Sequence, residues 1–298
     1  MKLFARSFAK VNPYLEITGT RRDGYHELEI SYLSVNLDDR LTFESIPEES
    51  LIIETESEIP REENLCYRVA KKLQALCSVD SGARIILEKR IPIGGGLGGG
   101  SSDAATTLIA LNRLWKCGLS RNRLIEIGGD FGADIPFFFY GGYCKAGGTG
   151  DLLQRLDNPF TDRLVPIIAP PFSQLTGEVY SEFDRIEREG ETQQREGREK
   201  VNEEPPEGYQ IRNDLQEPAL RLRPEISEYL EIMERSPLIT TSGLSGSGSA
   251  VFGITEPGTS PEAVKEHLQP ELSSHPRGGR LEITRPTKTG QVISGEGE

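Results

Sequence analysis

The sequence predicts an α+β chain of two domains. Three observations lead there. Its 298 residues reach the size, roughly 250 to 300 residues, at which a single core usually stops growing. Its opening reads as short alternating segments with turns between them. The later text alternates runs of helical spacing with further strand-like runs. At 36% hydrophobic and 27% charged, with the aliphatic residues spread throughout, the chain can bury a sizeable core.

From Phe4 to Phe43 the alternation, with turns at Arg22-Asp23-Gly24 and Asn36 to Arg40, is that of strands and a hairpin. A strand follows at Leu51 to Thr55. From Asn64 to Cys77, Leu65, Val69, Leu73 and Leu76 share a helical face. Ala83 to Leu87 is a strand ending in Lys89-Arg90-Ile91-Pro92, and a glycine run follows. Ser101 to Trp115 is a helix, with Ala104, Leu108, Leu111 and Trp115 on one face and Ser101, Ser102 and Asp103 as caps or first-turn residues. Leu119 to Ile127 is a further helix, and the apolar Ile135 to Tyr140 a buried strand. The text changes character at Asp157-Asn158-Pro159, which sets the domains at 1–157 and 158–298. Arg185 to Glu207 is more than half charged and lacks an apolar period, as in an exposed excursion or a solvated helix. Leu215 to Met233 is helical around Pro224. Leu238 to Ile254 reads as strand, glycine turn, strand, and Pro261 to Leu272 as helix. The last dozen residues are polar and glycine-rich, a frayed tail.

A formal charge of −13 argues against general binding to nucleic acid or anionic membranes, so any polyanionic ligand needs a local positive site. Cys66, Cys77, Cys117 and Cys144 are widely separated, form no CxxC pair and have three histidines for company. They suggest neither a zinc site nor a disulfide framework, and a reducing, cytoplasmic setting fits. Arg6 and Lys10 interrupt the N-terminal stretch before a signal-peptide core can form, and no apolar run approaches the roughly 20 residues of a membrane span. The sequence assigns no oligomeric state.

Chemistry concentrates first in Pro92-Ile93-Gly94-Gly95-Gly96-Leu97-Gly98-Gly99-Gly100-Ser101-Ser102, six glycines in seven positions between a strand and a helix. Backbone without Cβ atoms can reach positive φ and turn several N–H groups on one anion, and the helix adds its positive end. The loop is built for phosphate. The pattern satisfies GxGxxG, but a helix stands where a dinucleotide fold needs a strand ending in an acidic residue. No Walker Gly-Lys-Ser/Thr follows. Asp130-Phe131-Gly132 lacks the rest of the protein-kinase motifs.

Together with this loop, Ala9-Lys10-Val11-Asn12-Pro13-Tyr14-Leu15 and Gly243-Leu244-Ser245-Gly246-Ser247-Gly248-Ser249-Ala250-Val251-Phe252 resemble the three signature motifs of the GHMP small-molecule kinases. More narrowly, Arg22-Asp23-Gly24-Tyr25-His26-Glu27-Leu28, Gly132-Ala133-Asp134-Ile135-Pro136-Phe137 and Asn213-Asp214-Leu215 are similar to the 4-diphosphocytidyl-2-C-methyl-D-erythritol kinases of the non-mevalonate isoprenoid pathway. The resemblance runs from about Lys10 to Ile254. It implies an N-terminal domain like domain 2 of ribosomal protein S5, a ferredoxin-like C-terminal domain and an active site in the cleft between them. It also implies transfer of a phosphoryl group from ATP, with Mg²⁺, to a cytidine-diphosphate substrate. Carried over by position, Lys10 and Asp134 are the catalytic pair. Asn12 lies beside them, Tyr25, His26 and Tyr180 meet the cytosine, and Asn64 and Lys89 lie near the adenosine. Ala250 stands where the family commonly has Thr, and no role is carried onto it.

Phosphoryl transfer needs an in-line nucleophile, charge neutralisation and help with the hydroxyl proton. An ordinary Asp, with a pKa near ~3.9, is ionised at neutral pH and can accept that proton, and a nearby Lys both keeps it ionised and attracts the transferring oxygens. This makes Asp134 the base or orienting acceptor and Lys10 its partner. Tyr25 offers a stacking face and His26 a polar edge for a base. Magnesium is expected with the nucleotide, and no protein ligand is assigned to it. Two other readings stay open: a GHMP kinase acting on mevalonate, homoserine or a sugar, and a nucleotide-binding regulator without turnover.

Overall fold

The computed structural model describes residues 2–21, 24–150, 152–190 and 211–295. Its spine is a long antiparallel ribbon of β1 (Lys2–Thr20) and β2 (His26–Ile46). Next come β3 (Leu51–Thr55), α1 (Leu65–Cys77), β4 (Gly82–Glu88), α2 (Gly99–Leu114), α3 (Arg121–Gly129), α4 (Ile135–Tyr140), β5 (Tyr143–Gly147) and β6 (Leu152–Leu156). The outer edge of β2 pairs with β5 along its first half and with β4 along its second. The parallel strand β3 lies beyond β4, and β6 beyond β5. Buried Ala104, Ala105, Leu108 and Leu111 of α2 join residues of β1, β2 and α1 in one apolar core.

The chain continues through β7 (Val165–Ala169), α5 (Thr176–Gly190), β8 (Arg212–Asn213), α6 (Gln216–Leu222), α7 (Ile226–Arg235), β9 (Ile239–Leu244), β10 (Val251–Thr255), α8 (Pro261–Ser274), β11 (Arg280–Thr284) and β12 (Gln291–Gly295). The second sheet has the order β11-β7-β10-β9, with every pair antiparallel. Numbered along the chain that order is 4-1-3-2, with helices after its first and third strands, which is the expected ferredoxin-like arrangement. The two-residue β8 runs parallel to Tyr14 and Leu15 of β1, and so returns the chain to the first sheet.

Several local expectations are corrected. Residues 135–140 form the helix α4, not a strand. A six-residue apolar run fits a buried helix as well as a strand, and Pro136 in the first turn and Gly141 after the last decide for the helix. Residues 36–40 make no turn: β2 runs straight through them. Its register against β1 slips between Phe8 and Ala9, leaving Asn36 and Leu37 as extra residues in a bulge. Gln291–Gly295 pair with β1 rather than fraying. Cys77 and Cys117 are joined by a disulfide, Cα atoms 5.6 Å apart, where the sequence suggested none. The helices α1 and α2 pack side by side and bring their C-terminal ends together. The expected turn residues Arg22 and Asp23, and positions 191–207 of the charged excursion, lie outside the described residues; 185–190 continue α5.

Candidate active site

Backbone geometry makes the glycine loop a donor surface. The successive carbonyls of Gly94, Gly95, Gly96 and Leu97 accept hydrogen bonds from Gln174 N (3.2 Å), Ala250 N (3.2 Å), Ser245 Oγ (3.0 Å) and Lys10 N (3.0 Å). With every carbonyl tied back into the protein, the N–H groups face the other way. Among the described residues, those of Gly94 to Ser101 find no acceptor. Gly96 must be glycine, because a Cβ there would lie 2.0 Å from the Ser245 carbonyl oxygen, and φ is +71°. Leu97 is buried in a small core with Ala9, Val11, Ile91 and Ala250, while Ile93, beside Pro92 at the loop's start, is half exposed.

The caps expected at Ser101, Ser102 and Asp103 are not found. Helix α2 starts two residues earlier, its N-cap is Gly98 in the left-handed region, and no side chain caps it. A side-chain cap would occupy the donors that an anion needs. Ser101 lies inside the first turn with its Oγ near Gly132. Ser102 is fully buried, its Oγ without a partner among the described residues.

Lys10 and Asp134 meet at the edge of this surface. Lys10 Nζ is 3.6 Å from Asp134 Oδ2, with the lysine side chain 5% exposed and the aspartate 34%. Asn12, fully buried, accepts from Lys10 Nζ at 2.6 Å through Oδ1, and its amide donates to the Ser31 carbonyl at 3.1 Å, which fixes the flip. Burial pushes the Lys10 pKa down from that of a free lysine, and the Asp134 charge pulls partly back. Asp134 sits at the N-cap position of α4 but makes no capping bond. Its Oδ1 instead accepts from Tyr32 Oη at 2.9 Å. The carboxylate is held from behind and open in front.

On the far side of Asp134, His26 begins β2 and Tyr180 projects from α5. Their rings stack at 5.0 Å and 28°. The edge of Phe183 meets His26 at 5.7 Å, and His26 Nε2 lies 2.8 Å from Asp184 Oδ1. Burial, then the charge of Asp134, pushes the Tyr180 phenol pKa up, so this aromatic group lies within electrostatic reach of Asp134. Tyr25, the residue before His26, is 68% exposed.

Asn64 and Lys89 stand apart from that pair, beside the α2 N-terminus. Asn64 caps α1, its Oδ1 accepting from Cys66 N at 2.9 Å. Lys89 is no solvated strand-end lysine. Its ammonium is enclosed by Asp39 and by Asp103, the latter at 2.8 Å.

Two further residues escaped the sequence reading. Tyr32, in an apolar strand, reads as core until its hydroxyl is seen to reach Asp134. Asn213 donates to the carbonyls of Leu244 (2.8 Å) and Gly246 (2.7 Å), pinning the late glycine turn; its place in Asn213-Asp214-Leu215 was the available signal. A Cβ on Gly246 would lie 3.1 Å from Lys10 Nζ and 3.2 Å from the Gly96 oxygen, so the three motifs converge on one point.

Residues 64–142 match the GHMP kinases N terminal domain and residues 202–273 the GHMP kinases C terminal domain. The 4-diphosphocytidyl-2-C-methyl-D-erythritol kinase of Nitrosospira multiformis is 36% identical over 277 residues, 90% of each chain. That of Thermodesulfovibrio yellowstonii is 38% identical over 267 residues, 85% of this chain and 89% of the relative. The chain belongs to the 4-diphosphocytidyl-2-C-methyl-D-erythritol kinase family. A crystal structure of a 4-(cytidine 5'-diphospho)-2C-methyl-D-erythritol kinase matches this GHMP kinase fold with a TM-score of 0.73 at 32% identity, over 95% of this chain and 98% of the other. The homoserine kinase of Cytophaga hutchinsonii, with a TM-score of 0.68 at 14% identity, shares the fold alone. Among the described residues, no helix is long and apolar enough to cross a membrane.

Proposed function

We propose that this chain transfers the γ-phosphate of ATP to the 2-hydroxyl of 4-(cytidine 5'-diphospho)-2-C-methyl-D-erythritol, giving the 2-phosphate and ADP. The observation that carries this reading is the Lys10–Asp134 pair, 3.6 Å apart, at the edge of a loop whose free N–H groups suit phosphate. The aromatic pair His26 and Tyr180, within electrostatic reach of the same carboxylate, supports a pyrimidine-bearing alcohol as the acceptor.

The phosphates lie along the N–H groups of Gly94 to Gly100 and the open end of α2, which neutralise charge without having to reorganise. Asp134 accepts the proton of the attacking hydroxyl, oriented by Tyr32 behind it. The hydroxyl oxygen forms the new bond to the γ-phosphorus as the bond to the bridging β,γ-oxygen breaks, and ADP leaves with that electron pair. Lys10, aimed by Asn12, stabilises the charge on the transferring oxygens. His26 and Tyr180 hold the cytosine, with Tyr25 closing over it.

Magnesium fits as a companion of the nucleotide. No group of three or more His, Cys, Asp or Glu able to hold a metal gathers among the described residues, and Mg²⁺ commonly takes most of its ligands from phosphate and water. Ser101, partly exposed at the loop, is the side chain we assign to it, and the ion supplies neutralisation of the β- and γ-oxygens. We place the domain border at 157/158, between the strands β6 and β7, and the reaction in the cytoplasm, where the Cys77–Cys117 pair meets a reducing thiol pool.

The test is ADP release from Mg-ATP with the cytidine-diphosphate methylerythritol, beside mevalonate, homoserine and galactose as acceptors. Turnover with the cytidine substrate alone is expected. Turnover with another alcohol instead would keep the kinase and discard the cytosine site, and ATP binding without any turnover would leave a regulator.

A further inference from the structure

A buried charge cluster behind the loop has no part in the mechanism above. Asp39, on β2, is fully buried. One of its oxygens accepts from the backbone N–H groups of Arg90 (2.5 Å) and Ile91 (2.8 Å), the last residues before Pro92. The other accepts from Lys89 Nζ. Lys89 also donates to Asp103 Oδ2 at 2.8 Å, and Asp103 Oδ1 takes the Ser7 hydroxyl at 2.5 Å. Ser7 and Asp39 are cross-strand partners in β1 and β2. Thus the residues leading into the glycine loop and the helix leading out of it are fastened to one another and to the central ribbon.

We propose that Asp39, Lys89 and Asp103 form a clamp that positions the nucleotide loop by fixing both of its ends. This rests on the kinase reading and deepens it. The single ammonium is enclosed by two carboxyl groups, so the cluster has no surplus positive charge with which to attract phosphate. Lys89 is already neutralised and only 14% exposed, which leaves it little to offer an adenosine. Ion groups buried this deeply cost desolvation that their pairing does not always recover. What the cluster supplies is geometry: with the ends held and the carbonyls tied back, the N–H groups of Gly94 to Gly100 are set before the nucleotide arrives.

The experiment compares Lys89→Met and Asp103→Asn with the wild-type protein. The readouts are the KM for ATP, the inhibition constant of inorganic tripolyphosphate competing with ATP, the KM for the cytidine substrate and the thermal transition without nucleotide. The clamp predicts that both variants weaken ATP and tripolyphosphate by the same factor, about ten- to a hundredfold, and change the KM for the cytidine substrate less than about twofold. If tripolyphosphate binds unchanged while ATP weakens, Lys89 contacts the nucleoside and the clamp is refuted. If all three ligands weaken equally as the thermal transition collapses, the cluster serves only stability, and the clamp is again refuted. Asp39→Asn, which keeps the shape and the acceptor for Arg90 and Ile91, carries the test should Lys89→Met fail to fold. A wild-type protein that binds neither ATP nor tripolyphosphate refutes the kinase reading itself.

Discussion

Replacing Gly96 with alanine tests whether the two glycine turns must touch. The added Cβ would meet the Ser245 carbonyl oxygen at 2.0 Å and the Gly248 nitrogen at 3.0 Å, where ordinary contacts begin at 3.4 Å. Both obstacles are backbone, so no side-chain rotation relieves them, and the turns must separate by more than about an ångström. Overpacking of this kind costs roughly 1–3 kcal/mol, and a side chain at φ +71° adds about 1–2 kcal/mol. Together, roughly 2–5 kcal/mol should lower Tm by roughly 5–20 °C, at about 2–4 °C per kcal/mol for a chain of this size class. The separation also moves Lys10 relative to the loop, since Gly246 abuts Lys10 Nζ and Asn12 Oδ1 as well as the Gly96 oxygen, and kcat/KM should fall by about a hundredfold. Gly95→Ala is the control. Its Cβ would be in ordinary contact at 3.5 Å and its φ is not positive, so in the absence of nucleotide its Tm should stay within about 2 °C of wild type. Thermal unfolding of the two variants, followed by ATP kinetics, decides the matter. A Gly96→Ala protein as stable as wild type, or a Gly95→Ala protein damaged as badly, would refute the argument from close approach.

Because burial lowers the Lys10 pKa from 10.5 and the reaction uses its ammonium form, the alkaline limb of kcat/KM should fall below that value; a limb at or above it would contradict the assignment. The same shift makes the stability contribution of Lys10 rise with pH between its folded pKa and that of the unfolded chain, since the unfolded chain keeps the proton longer. Tyr32→Phe removes the 2.9 Å bond to Asp134; a loss of about 1 kcal/mol should lower kcat about fivefold with little change in KM, and wild-type kinetics would remove Tyr32 from the site. Reducing Cys77–Cys117, which closes a span of 40 residues, should cost up to about 4 kcal/mol; thermal unfolding with and without dithiothreitol, beside Cys117→Ser, reads the loss, and identical transitions would show that the link does not constrain the unfolded chain.

The parts of the site visible in the sequence are those whose chemistry is local. A run of glycines before a helix exposes backbone donors wherever it occurs, and Lys10 and Asp134 declare themselves by residue type once their motifs are placed. Long-range pairing concealed the rest. The polar residues at 36–40 look like turn-formers, yet Asn36 accepts from Arg285 N across 249 residues. Asp38 pairs with Arg6 at 2.7 Å, and Asp39 holds the exit of β4. Each is fixed by a partner that no short window contains. Gln291–Gly295 look frayed for the same reason, their ladder partners being Leu3 to Ser7 at the other end of the chain. The ion pairs of Lys89 with Asp39 and Asp103 are hidden in the sequence because neither carboxylate is its neighbour there. The helix of residues 135–140 was lost to an ambiguity of period, six apolar residues being too few to separate one regular structure from the other.

The most direct test of the account is the rate at which the wild-type protein and Asp134→Ala convert the cytidine-diphosphate methylerythritol and Mg-ATP, with phosphorus NMR locating the new phosphate. The account predicts a 2-phosphate from the wild-type protein and a fall of about 10²- to 10⁴-fold in kcat for the variant, with its fold and ATP binding intact. A variant that keeps most of its turnover, or a phosphate found on another hydroxyl, would contradict it.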